Sequence, residues 1–235
     1  MNSLRTLIKE IKSLENPAKA KVMQGFFKTK PGEYGEGDIF IGLTVPQSRI
    51  LAKKYCLISF EDINILLKSK IHEERLIALL ILVNNYQKAS EPEREKIYSF
   101  YLSNTSKINN WDLVDLSADK IVGHYLNDKS KDILYELSKS ENIWERRISI
   151  IATFHFIKNN SFENTIKIAE ILLQDKHDLI QKAVGWMLRE IGKRNQAVLI
   201  TFLNKHYKTM PRTSLRYAIE KFPEDKRQAF LKGRA

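Results

Sequence analysis

"HEERLIALLILVNNY" (residues 72–86), "NIWERRISIIATFHFI" (142–157) and "LIQKAVGWMLREIGK" (179–193) share one pattern: an acidic or polar start, a basic residue, then apolar side chains at helical spacing. Aligning Arg75, Arg147 and Ala183 leaves one place open. Trp111 of "INNWDLVDLSADKIVGHYL" (108–126) fills it, so that all four positions are 36 residues apart. Between them lie "EREKIYSFYLSN" (93–104), "KSKDILYELSKS" (129–140) and "SFENTIKIAEILLQD" (161–175), which suit the partner helices of hairpins.

A period of this length belongs to stacked helix-pair repeats of the TPR and HEAT kind. One such hairpin cannot bury its own apolar face, so the pattern predicts a curved all-α solenoid with a shared core and a concave inner surface. Only 9 Gly and 6 Pro in 235 residues, and long runs of Leu, Ile, Lys, Glu and Ala, agree with helix over strand. The chain reads as a single helical-repeat domain over 1–235, with N-terminal helices and a glycine-rich loop in 1–48 and repeats from about 49 onward.

Lys plus Arg number 39 against 28 Asp plus Glu, a net charge of +11 that points to a polyanionic partner, nucleic acid or an acidic membrane surface. No run of about 18 apolar residues exists to span a membrane. The opening "MNSLRTLIKEIKSLENP" spaces Leu4, Leu7, Ile8, Ile11 and Leu14 as an amphipathic helix and not as a signal peptide. One cysteine, Cys56, leaves no intramolecular disulfide and suits a reducing, cytoplasmic setting.

Several chemistries are excluded by spacing. The five histidines form no metal-ligand pattern, and no GxSxG elbow or GKS/GKT phosphate loop occurs, so neither a metal nor a cofactor is expected. "KTKPGEYGEGDIFIGLTVPQSR" (28–49) gathers four glycines into a loop joining helices. Its "GEYGEG" is not a phosphate cradle, because Glu33, Glu36 and Asp38 would repel phosphate.

Helical phase then picks out candidate functional side chains. In 108–126, Val114, Ala118, Ile121, Val122 and Tyr125 share an apolar arc with Trp111 at its edge. Asp115 falls about 40° beyond Trp111 on the same side, at a boundary between core and groove, whereas Asp112 lies about 100° away as a solvated or capping residue. Arg147 points into the apolar arc of Trp144, Ile148, Ile150, Ile151 and Phe154 and must find a carboxylate, a phosphate or backbone carbonyls; Arg146 points away. Arg75 holds a comparable place and suits a structural brace. In 179–193 the buried stripe is Ile180, Ala183, Val184, Met187, Leu188 and Ile191. Trp186 is displaced from it by roughly a third of a turn, toward Lys182, Arg189 and Lys193. Cations interleaved with an aromatic suit phosphates and a stacked sugar or base.

"NNWDLVD", "NIWERR" and "QKAVGWMLRE" resemble, in order and spacing, the Trp-Asp-x-Val-Asp, Asn-x-Trp-x-x-Arg and Gln-Lys-Ala-x-Gly-Trp-x-Leu-Arg-Glu segments of the AlkD-type DNA alkylation repair family of HEAT-like-repeat DNA glycosylases. The resemblance runs from about Pro17 to Lys193. It implies that Trp111 and Trp186 contact the deoxyribose of a lesion, that Asp115 is the catalytic carboxylate and that Arg147 holds DNA nearby. It also implies double-stranded DNA as the partner, a protein acting as a monomer, and excision of N3- or N7-alkylated purines without a deep base-flipping pocket. Phe26 stands where active relatives carry a tyrosine, and the "PGEYGEGD" segment is longer than theirs. The family also includes members thought to bind DNA without excising bases, so a non-catalytic binder of distorted or branched DNA is the alternative. A protein-interaction scaffold would leave Trp186 among basic residues unexplained.

Overall fold

The computed structural model describes residues 3–234. In chain order its helices are α1 (Leu4–Ser13), α2 (Pro17–Phe26), α3 (Val45–Lys54), α4 (Phe60–Leu67), α5 (His72–Lys88), α6 (Glu91–Ser103), α7 (Trp111–Ala118), α8 (Asp132–Leu137), α9 (Ile143–Ala152), α10 (Phe154–Lys158), α11 (Glu163–Leu172), α12 (Asp178–Arg194), α13 (Gln196–His206), α14 (Arg212–Ala218) and α15 (Glu224–Leu231). A 3₁₀ turn covers Thr105–Lys107, and a π-helical turn, Asp119–Gly123, continues α7. Among the described residues there is no strand, only one isolated bridge between Ile39 and Ile71. The all-α helical-repeat reading holds.

Local chemistry sets the helix ends. Asn16 caps α2, whose first residue is Pro17, a ring already fixed at helical φ and lacking the N–H that would go unpaired there. Reciprocal capping boxes, Thr44 with Gln47 and Ser90 with Glu93, start α3 and α6. The four positions spaced 36 residues apart fall early in their helices, Arg75 and Trp111 in the first turn, Arg147 and Ala183 in the second. The expected continuous helix over 142–157 breaks at Thr153 between α9 and α10, where the Thr153 hydroxyl donates to the Ile150 carbonyl at 2.7 Å. This leaves Phe154 half-exposed and outside the arc assigned to it.

The chain forms two compact units, Met1–Ser117 and Ala118–Ala235. In the first, α3 and α4 pack on α5, which is buried around most of its circumference. The loop of residues 27–44 is tied to α5 by Glu73, whose buried carboxylate accepts from the amides of Ile41, Gly42 and Leu43 at 2.8 to 3.2 Å. Gly42 has φ +91°, and a Cβ there would lie 2.2 Å from the Asn16 carbonyl, so this turn excludes any other residue.

In the second unit α12 is central, packing on α9, α13 and α14. Its expected stripe, Ile180, Ala183, Val184, Met187, Leu188 and Ile191, is buried throughout. Gly185 faces α14 so closely that a Cβ would lie 2.5 Å from the Ser214 carbonyl, which accounts for the glycine preceding Trp186.

Candidate functional site

In the first unit Trp111 opens α7, with its backbone N–H donating to the Asn110 side chain at 2.8 Å. The indole is half-exposed. One face stacks on Phe27 (centroids 5.1 Å apart, planes at 10°), and Phe26 meets it edge-on at 5.9 Å. Phe27 stacks in turn on Phe40 (4.7 Å), and Phe40 on the His72 ring (4.4 Å). Asp115, one turn after Trp111 and also half-exposed, shares its side of α7, while Val114 and Ala118 are fully buried. Phe26 is 64% exposed at the end of α2.

Asp112 is not solvated. It is 7% exposed and bonds His72 Nε2 at 2.8 Å, because α5 lies over a face that helical phase alone assigns to water. The other His72 nitrogen, Nδ1, is 3.2 Å from Asp38, whose second oxygen pairs with Arg75 at 2.6 Å. Arg75 also donates to the Ser69 carbonyl, so it is the structural brace expected, with a loop carboxylate as its main partner. Burial alone would push His72 down and Asp38 up. Asp112 and Asp38 outweigh this for His72, whose pKa is raised; His72 and Arg75 outweigh it for Asp38, whose pKa is lowered.

Glu33 and Glu36 accept from backbone amides of Lys30 and Gly32, and Asp38 is buried.

In the second unit Trp186 is half-exposed on α12; its indole N–H donates to Glu190 at 3.2 Å, and Phe154 lies 5.9 Å from it. Glu190 is 6% exposed and collects cations: Lys193 at 2.6 Å, Arg194 at 3.6 Å and Arg189 at 3.8 Å. Arg189 also pairs with Glu220, and Lys182 with Asp178 at 2.6 Å. The face is thus a set of ion pairs with Glu190 at its centre, and not the uncompensated basic surface that the spacing suggests.

Arg147 is 5% exposed and donates to the Leu179 carbonyl at 2.6 Å, so it braces α9 against α12. Arg146, outside the apolar arc of α9, bonds Asp175 at 2.7 Å and the carbonyls of Ser140 and Glu141.

Sequence reasoning missed His72, Asp38, Phe27, Phe40 and Glu190. Only Glu190, inside the quoted "QKAVGWMLRE", carried a local signal. No cluster of three or more His, Cys, Asp or Glu side chains able to hold a metal occurs among the described residues, and none of their helices is long and apolar enough to cross a membrane.

The sequence profile of the family described as "DNA alkylation repair enzyme" matches residues 7–222. The chain belongs to this DNA alkylation repair family. Its fold is similar to that of a predicted DNA alkylation repair enzyme from Enterococcus faecalis, with TM-score 0.70 and 18% identity over 89% of this chain and 97% of that one. It is also similar to AlkD2 from Streptococcus mutans, with TM-score 0.57 and 19% identity over 77% of this chain and 91% of that one. None of the curated proteins matches the sequence.

Proposed function

We propose that this DNA alkylation repair protein is a DNA N-glycosylase that hydrolyses the N-glycosidic bond of positively charged N3- or N7-alkylated purines in duplex DNA, without drawing the base into a deep pocket. Its setting would be the cytoplasm, in association with the nucleoid, as a monomer over a single domain. The observation that carries the reading is the pair on α7: a half-exposed indole held by stacking on Phe27, and a half-exposed carboxylate one turn on.

Alkylation makes the purine a cationic leaving group. As the C1′–N bond breaks, its electron pair neutralises the base and positive charge moves to the sugar. A carboxylate fixed beside C1′ opposes that charge and orients water, whose oxygen bonds to C1′ while its proton passes to solvent. Trp111 supplies a π-face whose attraction grows as the sugar becomes cationic, and Trp186 is the second candidate indole for that role. Lys182, Arg189 and Lys193 would exchange their carboxylate partners for phosphates, with Arg147 securing the helix that carries Trp186.

A second reading, a binder of distorted or branched DNA that does no chemistry, is favoured by Phe26, which sets a ring without a hydroxyl against Trp111. Base release from duplex DNA containing 7-methylguanine separates them. For the glycosylase, wild-type protein releases the base and Asp115→Asn is slower by about 10²- to 10³-fold with DNA affinity retained. Equal absence of release, with binding intact in both, selects the binder.

A further inference from the structure

We propose that His72, as an imidazolium, is the positioning residue for the Trp111–Asp115 pair. It reaches Trp111 by two routes. Its Nε2 holds Asp112, the next residue on α7, at 2.8 Å; its ring face closes the column Trp111, Phe27, Phe40.

The protonation state follows from the partners. Both ring nitrogens face carboxylate oxygens, Nδ1 toward Asp38 and Nε2 toward Asp112, and a neutral imidazole has one N–H to give. The Arg75 Nη2 contact with Nδ1, at 3.4 Å, would suit a neutral ring accepting there. That arrangement turns an Nδ1 lone pair on the Asp38 oxygen at 3.2 Å, while Arg75 already has a 2.6 Å partner in the other Asp38 oxygen. With the ring protonated, His72 and Arg75 balance Asp38 and Asp112, two charges of each sign in a buried site. Of the other acids on α5, Glu73 is turned to the loop amides and Glu74 is buried beside it. The net upward pKa of His72 agrees with this balance.

Losing the proton leaves two carboxylates around one N–H, which loosens the first turn of α7. An indole and a carboxylate that must address one sugar atom then lose their register, and displacements near 1 Å cost about 10²-fold in rate. This consequence for rate rests on the glycosylase reading; the structural coupling does not.

The test uses full-length protein carrying 5-fluorotryptophan, with the Trp111 resonance assigned by Trp111→Phe, and ¹³C-labelled histidine to follow His72. Expected are a Trp111 ¹⁹F shift that titrates with the His72 midpoint and loss of that titration in His72→Gln. Base release should show an alkaline limb at the same midpoint. In His72→Gln, kcat should fall about tenfold or more with KM for DNA within about twofold. If His72→Gln does not fold, Phe40→Leu removes a plate of the column and leaves the ion network, and the Trp111 resonance should move. Folded His72→Gln with wild-type kcat and its alkaline limb intact overturns the proposal, as does a Trp111 resonance indifferent to His72. Coupled titration in a protein that releases no base supports the positioning role and ends the glycosylase reading instead.

Discussion

Trp111 and Trp186 are both half-exposed indoles on helices, yet they are seated by opposite means. Trp111 lies flat on Phe27, above a buried column that ends in the network of His72, Asp38, Asp112 and Arg75. Trp186 is held by its N–H, on a carboxylate that also gathers three cations near the surface. Stacking with buried charge fixes a ring plane and leaves little freedom. A hydrogen bond amid exchangeable ion pairs fixes a direction while its neighbours can rearrange when a polyanion arrives.

The largest effect expected from that contrast is at Asp112. Asp112→Asn should destabilise the protein by about 3 kcal/mol, because it strips a buried imidazolium of one counter-ion; Asp115→Asn should cost less than about 0.5 kcal/mol. Urea unfolding of both variants checks this, and equal effects would mean that the two aspartates occupy similar environments after all. Next comes Arg147→Met, expected to cost about 1–2 kcal/mol through the lost bond to the Leu179 carbonyl. A loss of DNA affinity at unchanged stability would instead make Arg147 a direct DNA ligand.

Between pH 5 and 9, where the histidines and not Asp38 titrate, the pH dependence of the two units should run in opposite senses. His72, raised above its ordinary 6.5, contributes stability that is complete below about that value and lost as pH rises through its folded pKa. Asp38, lowered, contributes above the ordinary carboxyl value and fails as pH falls through its own folded pKa. His155 and His177 of the second unit are lowered, in each case chiefly by burial, so their contribution is present above 6.5 and lost as pH falls through their folded values. Hydrogen exchange across pH 5 to 9 should show α5 protection falling toward alkaline pH and protection around α10 and α12 falling toward acid. A common slope in both units would remove the distinction.

A loss of about 1–2 kcal/mol is expected for Glu190→Gln, which removes the charge of a buried carboxylate whose cation partners still reach solvent. DNA binding should nevertheless tighten and its salt dependence steepen by about one charge, since cations freed from Glu190 become available to phosphate. Anisotropy titrations at several salt concentrations test this; unchanged affinity would show that the α12 cations do not meet DNA.

The sequence by itself determined the all-α class, the helical stretches around Arg75, Trp111, Arg147 and Ala183 apart from the break at Thr153, the buried stripe of α12 and the half-exposed placement of Trp111, Asp115 and Trp186. These depend on spacing within one helix, where about 100° per residue sorts apolar from polar faces. It did not determine what covers a face from outside. Asp112 reads as solvated until α5 arrives from 40 positions away, and Arg189 reads as part of a basic face until Glu220, 31 positions away, supplies a partner. Nor could spacing show that Phe27, Phe40 and His72 form one column under Trp111, because these rings come from a loop and two helices. Only the tertiary structure decided those matters. Burial, ion pairing and protonation depend on side chains far apart in the chain, and helical phase carries no information about them.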